Sequence, residues 1–217
     1  VTSKPHAFFI LDHMFSFKRF FSKKTPVLAM KKFLIVGLGN IGDEYENTRH
    51  NVGFNILNRL AEKNDCLWES KKLADYSLLK KKGRQFILIK PTTFMNRSGK
   101  AVRYWALQEK IPLENILILT DEIHLPFGTI RMKGKGSPAG HNGLKDIESQ
   151  LNTPNYARLR FGIGQEQKAF DQVKFVLDRW DTSEEKLLHD RIEQCTEAIL
   201  SFGLEGLSTA MNRYNGK

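Results

Sequence analysis

Three short apolar runs, at residues 33–36, 86–89 and 116–119, constrain the fold of this chain more than any other feature. Each is four residues of Phe, Leu, Ile or Val, the form taken by parallel strands that are covered on both faces. Helical patterns lie between them. Residues 51–63 place Val52, Ile56 and Leu60 at i, i+4 and i+8, and residues 98–110 put Ala101, Val102, Trp105 and Ala106 on one face. Residues 158–163 alternate instead, with Leu159, Phe161 and Ile163 on one side and Arg158 and Arg160 on the other. Near the C-terminus, Thr182-Ser183-Glu184-Glu185 reads as a capping box. It is expected to open a helix carrying Leu188, Ile192, Cys195, Ile199 and Phe202, with Gly203 ending it. Strands alternating with helices predict an α/β single domain, with a twisted, mostly parallel mixed sheet flanked by helices.

A chain of 217 residues suits one domain of this kind. Residues 1–31 read differently from the rest. Six phenylalanines mix there with Lys18, Arg19, Lys23 and Lys24, and Pro26 closes the stretch. They are expected to form a flexible basic N-terminal extension, with residues 32–217 as the folded domain. An amphipathic basic helix touching RNA or membrane is one reading of that extension. No apolar run approaches the roughly 20 residues of a membrane span. Cys66 and Cys195 both sit in helical patterns, so free thiols in a reducing, cytoplasmic compartment are expected rather than a disulfide. The net charge of +10 is unevenly placed, with 17 Lys/Arg against 8 Asp/Glu over residues 68–160. That polarity fits a polyanion partner, and fits a solvated lysine-rich surface equally well.

In open α/β sheets, ligands bind beyond the carboxyl ends of the strands. Here those ends carry Asn40, then the run Pro91-Thr92-Thr93-Phe94-Met95-Asn96, then Thr120-Asp121-Glu122. The tetrad Thr48-Arg49-His50-Asn51 and the triplet His141-Asn142-Gly143 open helices or loops that could face the same side. Any one of these asparagines alone is better read as a turn or N-cap residue. As a set they favour one shared pocket, with His50 as its obvious proton-transfer group.

Several chemistries are disfavoured. Gly37-Leu38-Gly39-Asn40-Ile41-Gly42 fits the dinucleotide fingerprint, but Asp43, Glu44 and Glu46 follow where a pyrophosphate would sit. The histidines and cysteines show no paired metal-ligand spacing, and no Gly-x-Ser-x-Gly elbow is present. Neither metal nor cofactor is therefore expected. A histidine, a carboxylate and several amides suit hydrolysis of an activated ester. His50 would take a proton from water, Asp121 would fix the imidazole tautomer, and amides would hold the substrate and the developing oxyanion. A basic pair stands apart from this set. Alternation over residues 127–133 puts Arg131 and Lys133 on one face, and Arg160 on a separate strand would complete a phosphate clamp.

Taken in order, the segments Gly37–Tyr45, Asn47–Gly53, Lys90–Gly99, Asp121-Glu122, Gly140–Ile147 and Arg158–Gly164 resemble bacterial peptidyl-tRNA hydrolases, from about Lys32 to the C-terminus. The resemblance implies a monomeric α/β enzyme of the cytoplasm. It would cleave the ester joining a peptide to the 3′-terminal ribose of tRNA, binding the acceptor stem and 3′ end, and so recycle tRNA from aborted translation. It further implies His50 as the catalytic base, Asp121 as its support and Asn40 as a discriminator of peptidyl from free aminoacyl substrates. Tyr45, Phe94, Asn96 and Asn142 fall on substrate-binding positions, and Lys133 and Arg160 on positions that hold tRNA phosphate. The chain departs from the family's pattern at Ile41, where proline is common, and at Ser137-Pro138-Ala139, a stretch usually richer in glycine.

Overall fold

The computed structural model describes residue 1, residues 30–164 and residues 171–216. Most of the proposed N-terminal extension lies outside them. Thirteen helices and strands follow from residue 31. They are β1 (Lys31–Gly37), α1 (Val52–Glu62), β2 (Glu69–Lys71), β3 (Ala74–Lys81), β4 (Arg84–Pro91), α2 (Ser98–Gln108) and β5 (Ile116–Pro126). Then come β6 (Ile130–Lys133), α3 (Asn142–Leu151), β7 (Ala157–Gly164), α4 (Gln172–Leu177), α5 (Thr182–Glu205) and α6 (Leu207–Tyr214).

The seven strands form one mixed sheet in the order β2-β3-β4-β1-β5-β7-β6. The apolar runs become β4, β1 and β5, which with β7 make a parallel centre. β2, β3 and β6 add antiparallel margins. Both faces of the centre are covered. Phe33 and Ile35 pack with α1, α5 and α6 on one side, whereas Leu34 and Val36 pack with α2 and α3 on the other. Burial on both faces is why these strands carry no polar alternation.

Two details at the C-terminal end differ from the sequence reading. The capping box is real but starts one residue earlier, with Asp181 as N-cap and Glu184 returning to the Asp181 backbone. Gly203 lies inside α5, which ends instead at Gly206, where φ is 97°. A side chain at Gly203 would overlap the ring of Phe86, so this glycine lets the helix approach the sheet rather than stopping it.

Close approach also locates the functional rim. A Cβ on Gly37 would overlap the carbonyl of Gly53, in the first turn of α1. That contact sets the tetrad preceding α1 against the carboxyl ends of β1 and β5. Leu38 N–H donates to Leu119 O at 3.0 Å and extends the β1–β5 pairing into the turn.

Candidate active site

Each member of the tetrad has its own task. Thr48 Oγ1 donates to Tyr45 O at 2.9 Å and closes the preceding turn. Arg49 is buried. Its Nη2 donates to Glu184 Oε2 at 2.7 Å, and its guanidinium lies 4.4 Å from the Phe175 ring centroid. Its backbone N–H donates to Asp178 O at 3.1 Å, so Arg49 braces both α4 and the start of α5. Asn51 stands at the N-cap position of α1 without capping it. Its side chain instead exchanges hydrogen bonds with the backbone of Asn40, at 2.8 Å and 2.9 Å. Asn40 in turn accepts Met95 N–H at its Oδ1, 2.9 Å away, which joins the loops after β1 and β4. Only the Nδ2 donor of Asn40 remains unused among the described residues.

His50, the third member, points its Nδ1 at Asp121, 3.0 Å from Oδ1 and 3.1 Å from Oδ2. The expected pairing across 71 positions of sequence is present. A second histidine shares the carboxylate: His141 Nε2 is 3.0 Å from Asp121 Oδ1. His141 Nδ1 accepts the N–H groups of Gly143 and Leu144 at 3.1 Å and 3.3 Å, capping α3. An accepting Nδ1 puts the proton on Nε2, where it donates to Asp121. His50 is thus not alone at the carboxylate, and that is a correction to the sequence reading. The outermost ligand atoms of these three residues lie within 4.8 Å of one another, close enough for a metal. In the hydrogen-bonded arrangement, however, both imidazoles present N–H to Asp121, so among the atoms that converge there only the carboxylate oxygens offer lone pairs.

The electrostatics follow from burial and neighbours. Burial alone would lower the pKa of His50, but the charge and hydrogen bond of Asp121 outweigh it and raise the value. Burial pushes the Asp121 carboxyl upward, and the two imidazoles more than reverse this, holding it well below the usual range. Asp121 therefore remains ionised and acceptor-only. With Nδ1–H directed at Asp121, the lone pair of His50 Nε2 is left for the cleft.

That cleft has a volume of about 340 Å³. It gathers six of the expected residues: Asn40, His50, Phe94, Asn96, Asp121 and Asn142. Phe94 is 55% exposed, an apolar ring held open to solvent. Asn96 and Asn142 are exposed and make no side-chain hydrogen bond among the described residues. The opposite wall comes from α4 through Val173, Val176 and Leu177, which sequence reasoning had not singled out. A six-residue helix is too short to show an apolar period.

Four expected residues lie elsewhere. Tyr45 is half-buried in the turn before the tetrad and does not line the cleft. Arg131 and Lys133 are exposed on β6, without ion pair or hydrogen bond among the described residues. Arg160 faces inward, 9% exposed, with Nη1 paired to Glu122 and Nη2 donating to Ser137 O at 2.6 Å. Arg160, expected in a phosphate clamp, already has a partner: a buried guanidinium needs a counter-ion, and Glu122 supplies it. The glycine fingerprint leads into a 3-10 turn, Asp43–Tyr45, and not directly into a helix N-terminus that could cradle a pyrophosphate.

A family model described as Peptidyl-tRNA hydrolase matches residues 34–217. A peptidyl-tRNA hydrolase of Phocaeicola vulgatus is 52% identical over 186 residues, covering 86% of this chain and 100% of that protein. One from Caldanaerobacter subterraneus is 41% identical, over 85% of this chain and 100% of its own length. The crystal structure of peptidyl-tRNA hydrolase from Acinetobacter baumannii superposes with a TM-score of 0.80 at 34% identity, covering 86% of this chain and 96% of that one.

Proposed function

The chain belongs to the peptidyl-tRNA hydrolase family and is a hydrolase of peptidyl-tRNA; from that premise we propose that His50 is its general base and Asp121 the group that orients it. The observation that carries this reading is the His50 Nδ1–Asp121 contact, which leaves Nε2 for the cleft that His50 lines. A water hydrogen-bonded to Nε2 gives up its proton as it attacks the ester carbonyl. The imidazolium so formed is stabilised by Asp121 and returns the proton to the departing 3′-oxygen of the ribose. An alcohol leaves more readily than an amine, which is why this machinery suits the ester and spares peptide bonds.

The amides supply binding. Asn96 and Asn142 offer unpaired donors toward the attacked carbonyl, and Phe94 offers a face for the terminal base or a peptide side chain. Asn40 Nδ2 donates to the acyl oxygen that a blocked amino group carries. A free α-ammonium has only donors to present there and is rejected. Tyr45 borders the same approach. Arg131 and Lys133 meet acceptor-stem phosphate, with Arg160 behind them. The enzyme acts as a cytoplasmic monomer without metal or cofactor, recycling tRNA released from aborted translation. The residues before β1 stand outside the catalytic unit, a reading supported by a family model that starts at residue 34; Lys31, put in the extension by the sequence reading, is the first residue of β1.

Incubation with N-blocked and with free aminoacyl-tRNA, following release of the amino acid, tests the reading. The blocked substrate is expected to be cleaved and the free one largely spared. His50→Ala is expected to lower kcat by about 10²–10⁴-fold, the usual share of a general base. Near-normal turnover by that variant would remove His50 from the mechanism.

A further inference from the structure

We propose that Glu122 is a positioning residue that competes with substrate phosphate for Arg160, linking the basic edge of the sheet to the histidine frame. The proposal rests on the reading of the β6–β7 edge as the phosphate-binding face.

Arg131 lies directly opposite Arg160 in the antiparallel β6–β7 pairing, and Lys133 opposite Arg158. Paired positions share a sheet face, so four cations stand on one side of this edge. Two of them are matched from within, Arg158 by Glu148 and Arg160 by Glu122. Arg131 and Lys133 have no such partner among the described residues. A phosphate drawn to these two therefore approaches the third cation, whose present partner is a glutamate at the lip of the cleft.

Arg160 is also tied to the catalytic frame. Its Nη2 donates to Ser137 O, as does Arg158 Nη1 at 3.1 Å. Ser137 starts the short loop in which Pro138 O accepts His141 N–H at 2.9 Å, and His141 reaches Asp121. Glu122 follows Asp121 in β5. Arg160 thus holds the loop that seats His141 while Glu122 holds Arg160. An arriving phosphate that takes one guanidinium edge leaves the other on Ser137, because the planar fork can serve two acceptors at once. Phosphate occupancy and seating of His141 are then read by one side chain.

Glu122→Gln keeps the shape and removes the competing charge. Binding of uncharged tRNA to the full chain is to be measured across a salt series, with thermal unfolding to confirm a folded protein. The variant is expected to bind roughly 3–10-fold more tightly, with a salt slope steeper by about a half, since a cation otherwise shared with Glu122 becomes wholly available to phosphate. In peptidyl-tRNA hydrolysis it should lower KM with little change in kcat, because Arg160 and Arg158 keep their hold on Ser137. A buried pair with a merely structural role would leave the salt slope unchanged, and that result overturns the proposal. Should Glu122→Gln fail to fold, the charge-conserving Arg160→Lys decides. A single ammonium held by Glu122 has no second edge for phosphate, so the slope should become shallower by about a half, and an unchanged slope refutes the link. Lys133→Gln and Arg131→Gln in the same series separate the two readings. If neither alters the slope, the phosphate face lies elsewhere; if they do and Glu122→Gln does not, only the competition fails.

Discussion

Asp121 and Glu122 are neighbours in one strand, both buried carboxylates lining the cleft, and they take different partners. Asp121 is shared by two neutral-capable imidazoles, Glu122 by one permanently charged guanidinium. The side-chain alternation of a strand makes this division possible: a shift of one residue would exchange the two roles. What differs is the partner's freedom. An imidazole beside Asp121 can give up its proton at the other nitrogen, so that carboxylate tunes chemistry. Arg160 cannot lose its charge, so Glu122 can only decide where that charge is spent.

The comparison breaks most visibly on the Asp121 side. Asp121→Asn keeps an acceptor for Nδ1–H but removes the charge that holds up the His50 pKa against burial. In the parent enzyme that value lies above the ordinary 6.5 or so, and His50 is protonated, hence inactive as a base, below it. The ascending limb of kcat/KM against pH should therefore lie above about 6.5. In Asp121→Asn, burial acts unopposed and the limb should move to lower pH, with the plateau reduced by about 10²-fold or more from the lost imidazolium stabilisation. A limb that stays in place would show that another group is being titrated.

Arg49 offers a second, structural test of the same principle. Like Arg160 it is a buried guanidinium with one glutamate, but its neighbours are aromatic, Phe175 and Trp180, and it braces the α4 wall. Arg49→Met leaves Glu184 buried without its counter-ion and should cost about 3–5 kcal/mol of stability. Thermal or denaturant unfolding measures it, and Arg49→Met with Glu184→Gln should recover part of the loss. Failure to recover any would assign the cost to aromatic packing over the guanidinium.

How far these features could be read from sequence follows the same physics. The parallel centre was legible because strands buried on both faces are continuously apolar. β3 was not, because Ala74–Lys81 alternates polar and apolar residues with a lysine-rich end and lacks the compact apolar run of its neighbours. His50 and Asp121 were legible because one follows β1 and the other follows the apolar run of β5, although β5 itself continues to Pro126. The contact of His141 with Asp121 was not, although its triplet was expected at the same rim: a residue before a helix signals a cap, but says nothing of where the second ring nitrogen points. Glu122 was hidden by its neighbour, since Asp-Glu reads as one acidic cluster until the strand separates the two side chains.

The smallest effect should come from the exposed end of the basic edge. Lys133 is a solvated point charge with no partner among the described residues, so Lys133→Gln should leave stability within about 0.5 kcal/mol. Its loss should fall on association: the salt slope for tRNA binding shallower by about one, with KM raised and the change alike for different tRNAs. Because Lys133 does not line the cleft, kcat should fall far less than in Asp121→Asn. A kcat loss as large as that variant's would mean that charge at β6 reaches the reacting ester, and the division of labour between the two carboxylates would have to be redrawn.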